Sequence, residues 1–103
     1  MIGGDSEDLA EFIDDFADIA PELLGSMEGS VASGDWNTLK IAAHSLKSNS
    51  KDLGVIALAD LCAALEQESA QGAVDNVQQK VEQVSVEMQR ALSALRAVDL
   101  TAI

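Results

Sequence analysis

At 103 residues the chain is long enough for one domain with a single core, and too short to hold separate cofactor and substrate domains. Eighteen acidic residues against six basic ones give a formal net charge of -12, which opposes binding to nucleic acid or to anionic membrane surfaces. Cys62 is the lone cysteine, so neither an internal disulfide nor a cysteine-based zinc site can form, and a reducing cytoplasm is the expected setting.

A hydrophobic content of 48%, one proline, no tyrosine and recurrent alanine, leucine and glutamate predict helix rather than strand. From Asp5 onward, Leu9, Phe12, Ile13, Phe16, Leu23, Leu24, Met27 and Val31 recur at steps of three and four, the pattern of a helix with one apolar face. Asp5 or Ser6 is suited to cap its start, and residues 1–4 ahead of it are expected to be flexible. Pro21 has no N–H and crowds the carbonyl one turn back, so a kink or a break into two helices is expected there. Gly25 and Gly29 lie on one face. They either admit a neighbouring helix closely or are simple weak points, each costing about 1 kcal/mol relative to alanine, and the second reading is preferred.

Gly34 stops this helix and Asp35 caps a second one that runs through Trp36, Leu39, Ala42 and Leu46 towards Leu53. After a turn near Asp52 to Gly54, a third helix spans Ile56 to Ser69, with Leu58, Leu61, Cys62 and Leu65 on one side and Gly72 at its end. A fourth begins near Ala73, where Val74, Val77, Val81, Val84, Met88, Leu92 and Leu95 step by threes and fours. Short connections set sequential helices antiparallel, so the expected fold is one all-α domain over residues 1–103, an up-down four-helix bundle. Trp36, Met88 and Cys62 are assigned to packing, and the acidic surplus to solvated faces.

His44 is the only histidine. At about 100° per residue, Leu39, Ala42, Leu46 and Leu53 fall roughly opposite it, so burying them turns the imidazole to water. Lys40, Lys47, Ser48 and Lys51 surround His44 at helical spacings, which puts three of the six basic residues on one stripe. Such a stripe can be an ordinary solvated face. Beside an exposed histidine it suits a phosphoryl acceptor: histidine is the side chain that titrates near physiological pH, and ammonium groups compensate a phosphoryl dianion by charge-assisted hydrogen bonds. No Walker-type glycine loop, paired carboxylates or second histidine accompanies it, so neither an ATP site nor a metal site is expected. Ser45 projects about 100° away and Cys62 belongs to a core stripe, so neither pairs with His44 as a nucleophile, and a self-contained enzyme is not expected. No run of about 18 apolar residues is present to span a membrane, and the N-terminus has no signal-peptide pattern.

Ala43-His44-Ser45-Leu46-Lys47-Ser48 followed by Leu53-Gly54 resembles the signature of histidine phosphotransfer domains: His-x-Leu-Lys-Gly, small residues, then a hydrophobic residue and a glycine ten positions after the histidine. The stretch from Phe16 to Leu24 around Pro21, the Gly34-Asp35-Trp36 turn and the run Leu61-Cys62-Ala63-Ala64-Leu65-Glu66 also look like the family's framework. Ser48 stands where glycine is commonest, and Asn49 replaces a smaller residue. Serine is a mild enlargement that leaves room beside the imidazole, and its hydroxyl is able to donate to a phosphoryl group.

The resemblance implies a phosphorelay intermediate. His44 would accept a phosphoryl group from a receiver-domain phospho-aspartate, or from a sensor or hybrid histidine kinase, and pass it to a response-regulator aspartate. Lys47 would be the main phosphate-compensating residue, with Lys40 and Lys51 as outer electrostatic support. The domain would need no cofactor of its own, because the partner receiver supplies magnesium and the acidic pocket. Nε2 would be the modified nitrogen. Docking would use the exposed part of the second helix and the adjoining third, with Ile41 and Gly54 as contact residues; ordinary edge packing of Ile41 against the first helix is the competing reading. The chain is expected to be a monomer. The alternatives are a non-catalytic helical adaptor or degenerate family member that binds receivers without phosphorylation, and an oligomerisation module paired through the Val74 to Leu95 stripe.

Overall fold

A computed structural model describes residues 4–72 and 74–97, with side chains described from residue 10 to 72 and from 74 to 95. Four helices follow in order: α1 (Gly4–Ser33), α2 (Trp36–Asp52), α3 (Ile56–Ala70) and α4 (Val77–Ala97). The adjacent pairs α1–α2, α2–α3, α3–α4 and α4–α1 all pack together, with α2 against α3 the most extensive. This is the closed ring of a four-helix bundle.

The core is filled from one stripe on each helix. Phe16, Ala20, Leu24 and Met27 come from α1, and Leu39, Ala42, Ala43 and Leu46 from α2. Leu58, Cys62 and Leu65 come from α3, and Val81, Val84, Met88, Ala91 and Leu92 from α4. Trp36 packs partly buried against this cluster at the start of α2. The α4 stripe that would make a coiled-coil seam is therefore consumed inside the bundle, which removes the motive for an oligomerisation module.

The helix ends follow local chemistry. Gly34 takes φ +72°, a left-handed conformation open to glycine, and the Asp35 N–H donates to Ser30 O at 2.9 Å, closing α1. Asp35 then caps α2: Thr38 N donates to its Oδ1 at 3.1 Å and the Thr38 hydroxyl to its Oδ2 at 2.6 Å. These contacts, with their acceptor charge at a helix N-terminus, hold the Asp35 carboxyl below its ordinary value.

The structure decides several expectations, some of them against the sequence pattern. Of the kink or break expected at Pro21, the break is excluded, because α1 continues through that residue. It is already helical at Gly4, which puts Asp5 and Ser6 inside the helix rather than at its cap; residues 1–3 of the expected flexible start lie outside the described residues. Phe12 is 58% exposed instead of buried: it lies about 80° around the helix from Ala20, at the margin of the buried stripe, an edge that is covered at Ser30 and left open at Phe12. The Leu9 side chain lies outside the described residues. Added Cβ atoms at Gly25 and Gly29 would meet nothing within 4 Å, so no neighbouring helix approaches them closely. α4 starts at Val77 rather than near Ala73, because Asn76 adopts φ 53° and its carbonyl accepts the Lys80 N–H at 3.0 Å, which opens the helix there.

Candidate functional site

The stripe of α2 that buries Leu39, Ala42, Ala43 and Leu46 forces the opposite stripe outward. On it the His44 side chain is 60% exposed, as the helical wheel requires. One turn on, Lys47 lies along the α2–α3 boundary with its side chain 22% exposed. Ser48 is exposed beside His44, Lys51 is exposed further along the helix, and Lys40 is half-buried.

The residue that organises this surface is Glu66 of α3. Its Oε2 lies 2.8 Å from His44 Nδ1 and its Oε1 lies 2.5 Å from Lys47 Nζ. An ionised carboxylate only accepts hydrogen bonds, so Nδ1 carries a proton and donates it, and in the neutral ring the lone pair is then on Nε2. Lys47, by its hydrogen bond and its charge, and His44 to a lesser degree hold the Glu66 carboxyl below its ordinary value. One carboxylate therefore fixes both the ring of the histidine and the ammonium of the lysine.

Helix pairing explains how Glu66 arrives there. Gly54, at φ +72°, and Val55 turn the chain between α2 and α3; Gly54 N donates to Lys51 O at 3.0 Å and Val55 N to Ser50 O at 2.8 Å. Val55 lies eleven residues from His44 and eleven from Glu66, so an antiparallel hairpin about this turn sets the two side by side. Gly54 itself is about 15 Å along the helix axis from His44. Its role here is in the turn, and it is not brought next to the imidazole.

The remaining residues expected at the site behave differently from one another. Among the described residues neither Lys40 nor Lys51 forms an ion pair, and both remain free to act at longer range. Asn49 turns its amide back along α2 and donates to Ser45 O at 2.9 Å, which keeps this departure from the motif away from the imidazole. Ile41 is 56% exposed, so edge packing against α1 does not account for it. The Cys62 thiol is buried behind the site and desolvation pushes its pKa up to about 12, against an opposing pull from Lys47.

Phe12 and Ile19 add exposed apolar surface that the sequence pattern did not assign to the site. Seven residues apart, they share one edge of α1. Glu28, Val31 and Ala32, on the other edge, line a groove against Val81 and Glu82 of α4, so Phe12 and Ile19 lie on the α2 side. Among the described residues no helix is long and apolar enough to cross a membrane.

The sequence pattern of the Hpt domain family matches residues 11–98. The comparison with curated proteins returned no match. Among solved structures, histidine-containing phosphotransfer protein B of Pseudomonas aeruginosa PAO1 is similar, with a TM-score of 0.80 and 27% identity over 82% of this chain and 74% of that one. The family match over most of the chain and the shared four-helix fold lead to one conclusion: the chain belongs to the Hpt domain family, whose role is histidine phosphotransfer in phosphorelays.

Proposed function

We propose that this chain is a phosphorelay intermediate in which His44 accepts a phosphoryl group from a receiver-domain phospho-aspartate or from a histidine kinase, and passes it to a response-regulator aspartate. The observation that carries the reading is the 2.8 Å contact between His44 Nδ1 and Glu66, which puts the lone pair of the neutral imidazole on Nε2 of a ring that is 60% exposed. Such a nitrogen can attack phosphorus without first losing a proton.

In this reading the partner brings the magnesium. The chain's own contribution is a held nucleophile and local positive charge. Lys47 lies one turn from His44, within reach of a group on the exposed edge of the ring, and Lys40 and Lys51 add longer-range compensation. Ser48 offers a small neighbour and a hydroxyl donor. Ile41, Phe12 and Ile19 supply exposed apolar surface on the α1–α2 side for the receiver to cover, and Gly54 serves docking through the turn that holds α3 in register. With no ATP-binding motif in the sequence, the domain works as a carrier between enzymes, in the cytoplasm and as a monomer.

The test is transfer from a panel of phosphorylated receiver domains to the native chain and to His44→Gln, scored as acid-labile, base-stable label. Label on the native chain alone supports the carrier. Binding to receivers without label on any chain would make it a non-catalytic adaptor.

A further inference from the structure

His44 and Lys47 draw on the same carboxylate, and that sharing has a consequence for the transfer itself. In the free chain the Lys47 ammonium is 2.5 Å from Glu66 Oε1, in a pocket of surface where the two side chains are 22% and 25% exposed. Partial shielding strengthens such a pair relative to one in open solvent. Yet Lys47 is also the cation one turn from the imidazole, and a phosphoryl group on Nε2 would be a second anion within its reach. Two acceptors then compete for one ammonium.

We propose that Lys47 exchanges between Glu66 and the phosphoryl group on His44, and that this competition makes Glu66 the positioning residue that sets how readily the phosphoryl group moves on to a receiver. The inference rests on the reading of His44 as the acceptor. The bond from phosphorus to the aspartate oxygen breaks, the aspartate carboxylate keeps the bonding pair, and the Nε2 lone pair forms the new N–P bond. Nδ1 retains its proton. The phosphorylated ring then carries a positive charge beside the Glu66 carboxylate, and a dianionic phosphoryl group lies on its far edge.

Glu66 consequently makes two opposed contributions. Through Nδ1–H it stabilises the positive charge on the phosphorylated ring. Through Lys47 it withholds a cation from the phosphoryl group. The first favours phospho-histidine and the second disfavours it, so the carboxylate poises the group between capture and release. A glutamine at this position would keep a hydrogen-bond acceptor for Nδ1–H while losing its hold on Lys47.

Four full-length chains separate the two contributions: native, Glu66→Gln, Lys47→Gln and the double variant. Each is equilibrated with a magnesium-loaded receiver domain that labels the native chain, and the ratio of phospho-His44 to phospho-aspartate is measured. In the Lys47→Gln background, Glu66→Gln changes only the Nδ1 contribution, replacing a charged acceptor with a neutral one that stabilises the positive ring less, and lowers the ratio. With Lys47 present, the same substitution also frees the ammonium, so its effect on the ratio is about 3- to 5-fold more favourable. Equal effects in the two backgrounds would overturn the exchange. Should the double variant fail to fold, the ¹⁵N resonance of Lys47 Nζ in the native chain decides: it moves on phosphorylation if the ammonium changes partner, and its staying fixed overturns the proposal. Failure of every receiver and kinase to label the native chain would sink the reading of His44 and this inference together, whereas label with an additive cycle sinks the inference alone.

Discussion

Glu66 on α3 holds His44 on α2 by a 2.8 Å contact to Nδ1, eleven residues either side of the turn residue Val55. The relationship is what makes an exposed histidine chemically defined: without it the proton would divide between the two ring nitrogens.

The first expectation follows directly. In ¹⁵N NMR spectra at neutral pH the native His44 ring carries its proton on Nδ1. Glu66→Ala shifts the population towards the Nε2–H form, which is the common one in water, while Glu66→Gln retains much of the native pattern through its amide oxygen. Unchanged ring shifts in Glu66→Ala would show that the carboxylate does not set the tautomer.

Phe12 offers a test that separates surface from core. At 58% exposure, Phe12→Ser is expected to change stability by no more than about 0.5 kcal/mol, against about 3–5 kcal/mol for emptying a buried phenylalanine site. Urea unfolding measures this. Phe12→Ser and Ile41→Ser are both expected to weaken receiver binding by roughly 5- to 30-fold while leaving folding intact. Native-like receiver affinity in both variants would remove this surface from the docking site.

Asp35 ties α2 to pH. Its folded carboxyl titrates below the ordinary 3.8, so the cap contributes at any pH well above that value and is lost as pH falls through the depressed folded value. Asp35→Asn keeps an acceptor for Thr38 N but does not titrate. The lead in thermal midpoint of the native chain over Asp35→Asn is therefore expected to shrink between about pH 5 and pH 2. A lead that stays constant over this range would contradict the cap's assigned charge. Asp35→Ala, which removes the acceptor altogether, is expected to lower the midpoint by about 4–8 °C at neutral pH.

Cys62 is expected to be silent in the folded chain. With its thiol buried and pushed up to about 12, a thiol reagent at neutral pH reacts only through opening of the bundle, so the labelling rate follows global stability as urea is added. Fast labelling of the native state would mean that α3 opens locally behind the site.

Much of this organisation was legible in the residues themselves. The punctuation of Gly34 and Asp35, the exposure of His44 opposite Leu39, Ala42 and Leu46, and the core roles of Cys62 and Met88 all follow from local capping chemistry and a 3.6-residue period. Phe12 was not legible, because spacing alone admits a residue at the margin of a stripe and only the neighbouring helices decide whether that margin is covered. The late start of α4 depended on a left-handed Asn76, which composition does not announce. Glu66 was hidden for another reason: its partners are on a different helix. The signal was present in the equal spacing of His44 and Glu66 about Val55, but reading it requires the hairpin register as well as the wheel.

The central claim is that Nε2 of His44 is the atom that takes the phosphoryl group. The most direct measurement is ³¹P and ¹⁵N NMR of the full chain, labelled with ¹⁵N-histidine and phosphorylated by a receiver domain or by phosphoramidate. The account predicts one phosphorus resonance coupled to Nε2 of His44, with the proton still on Nδ1. Coupling to Nδ1, or phosphate found on Ser48 or any other residue, would contradict it.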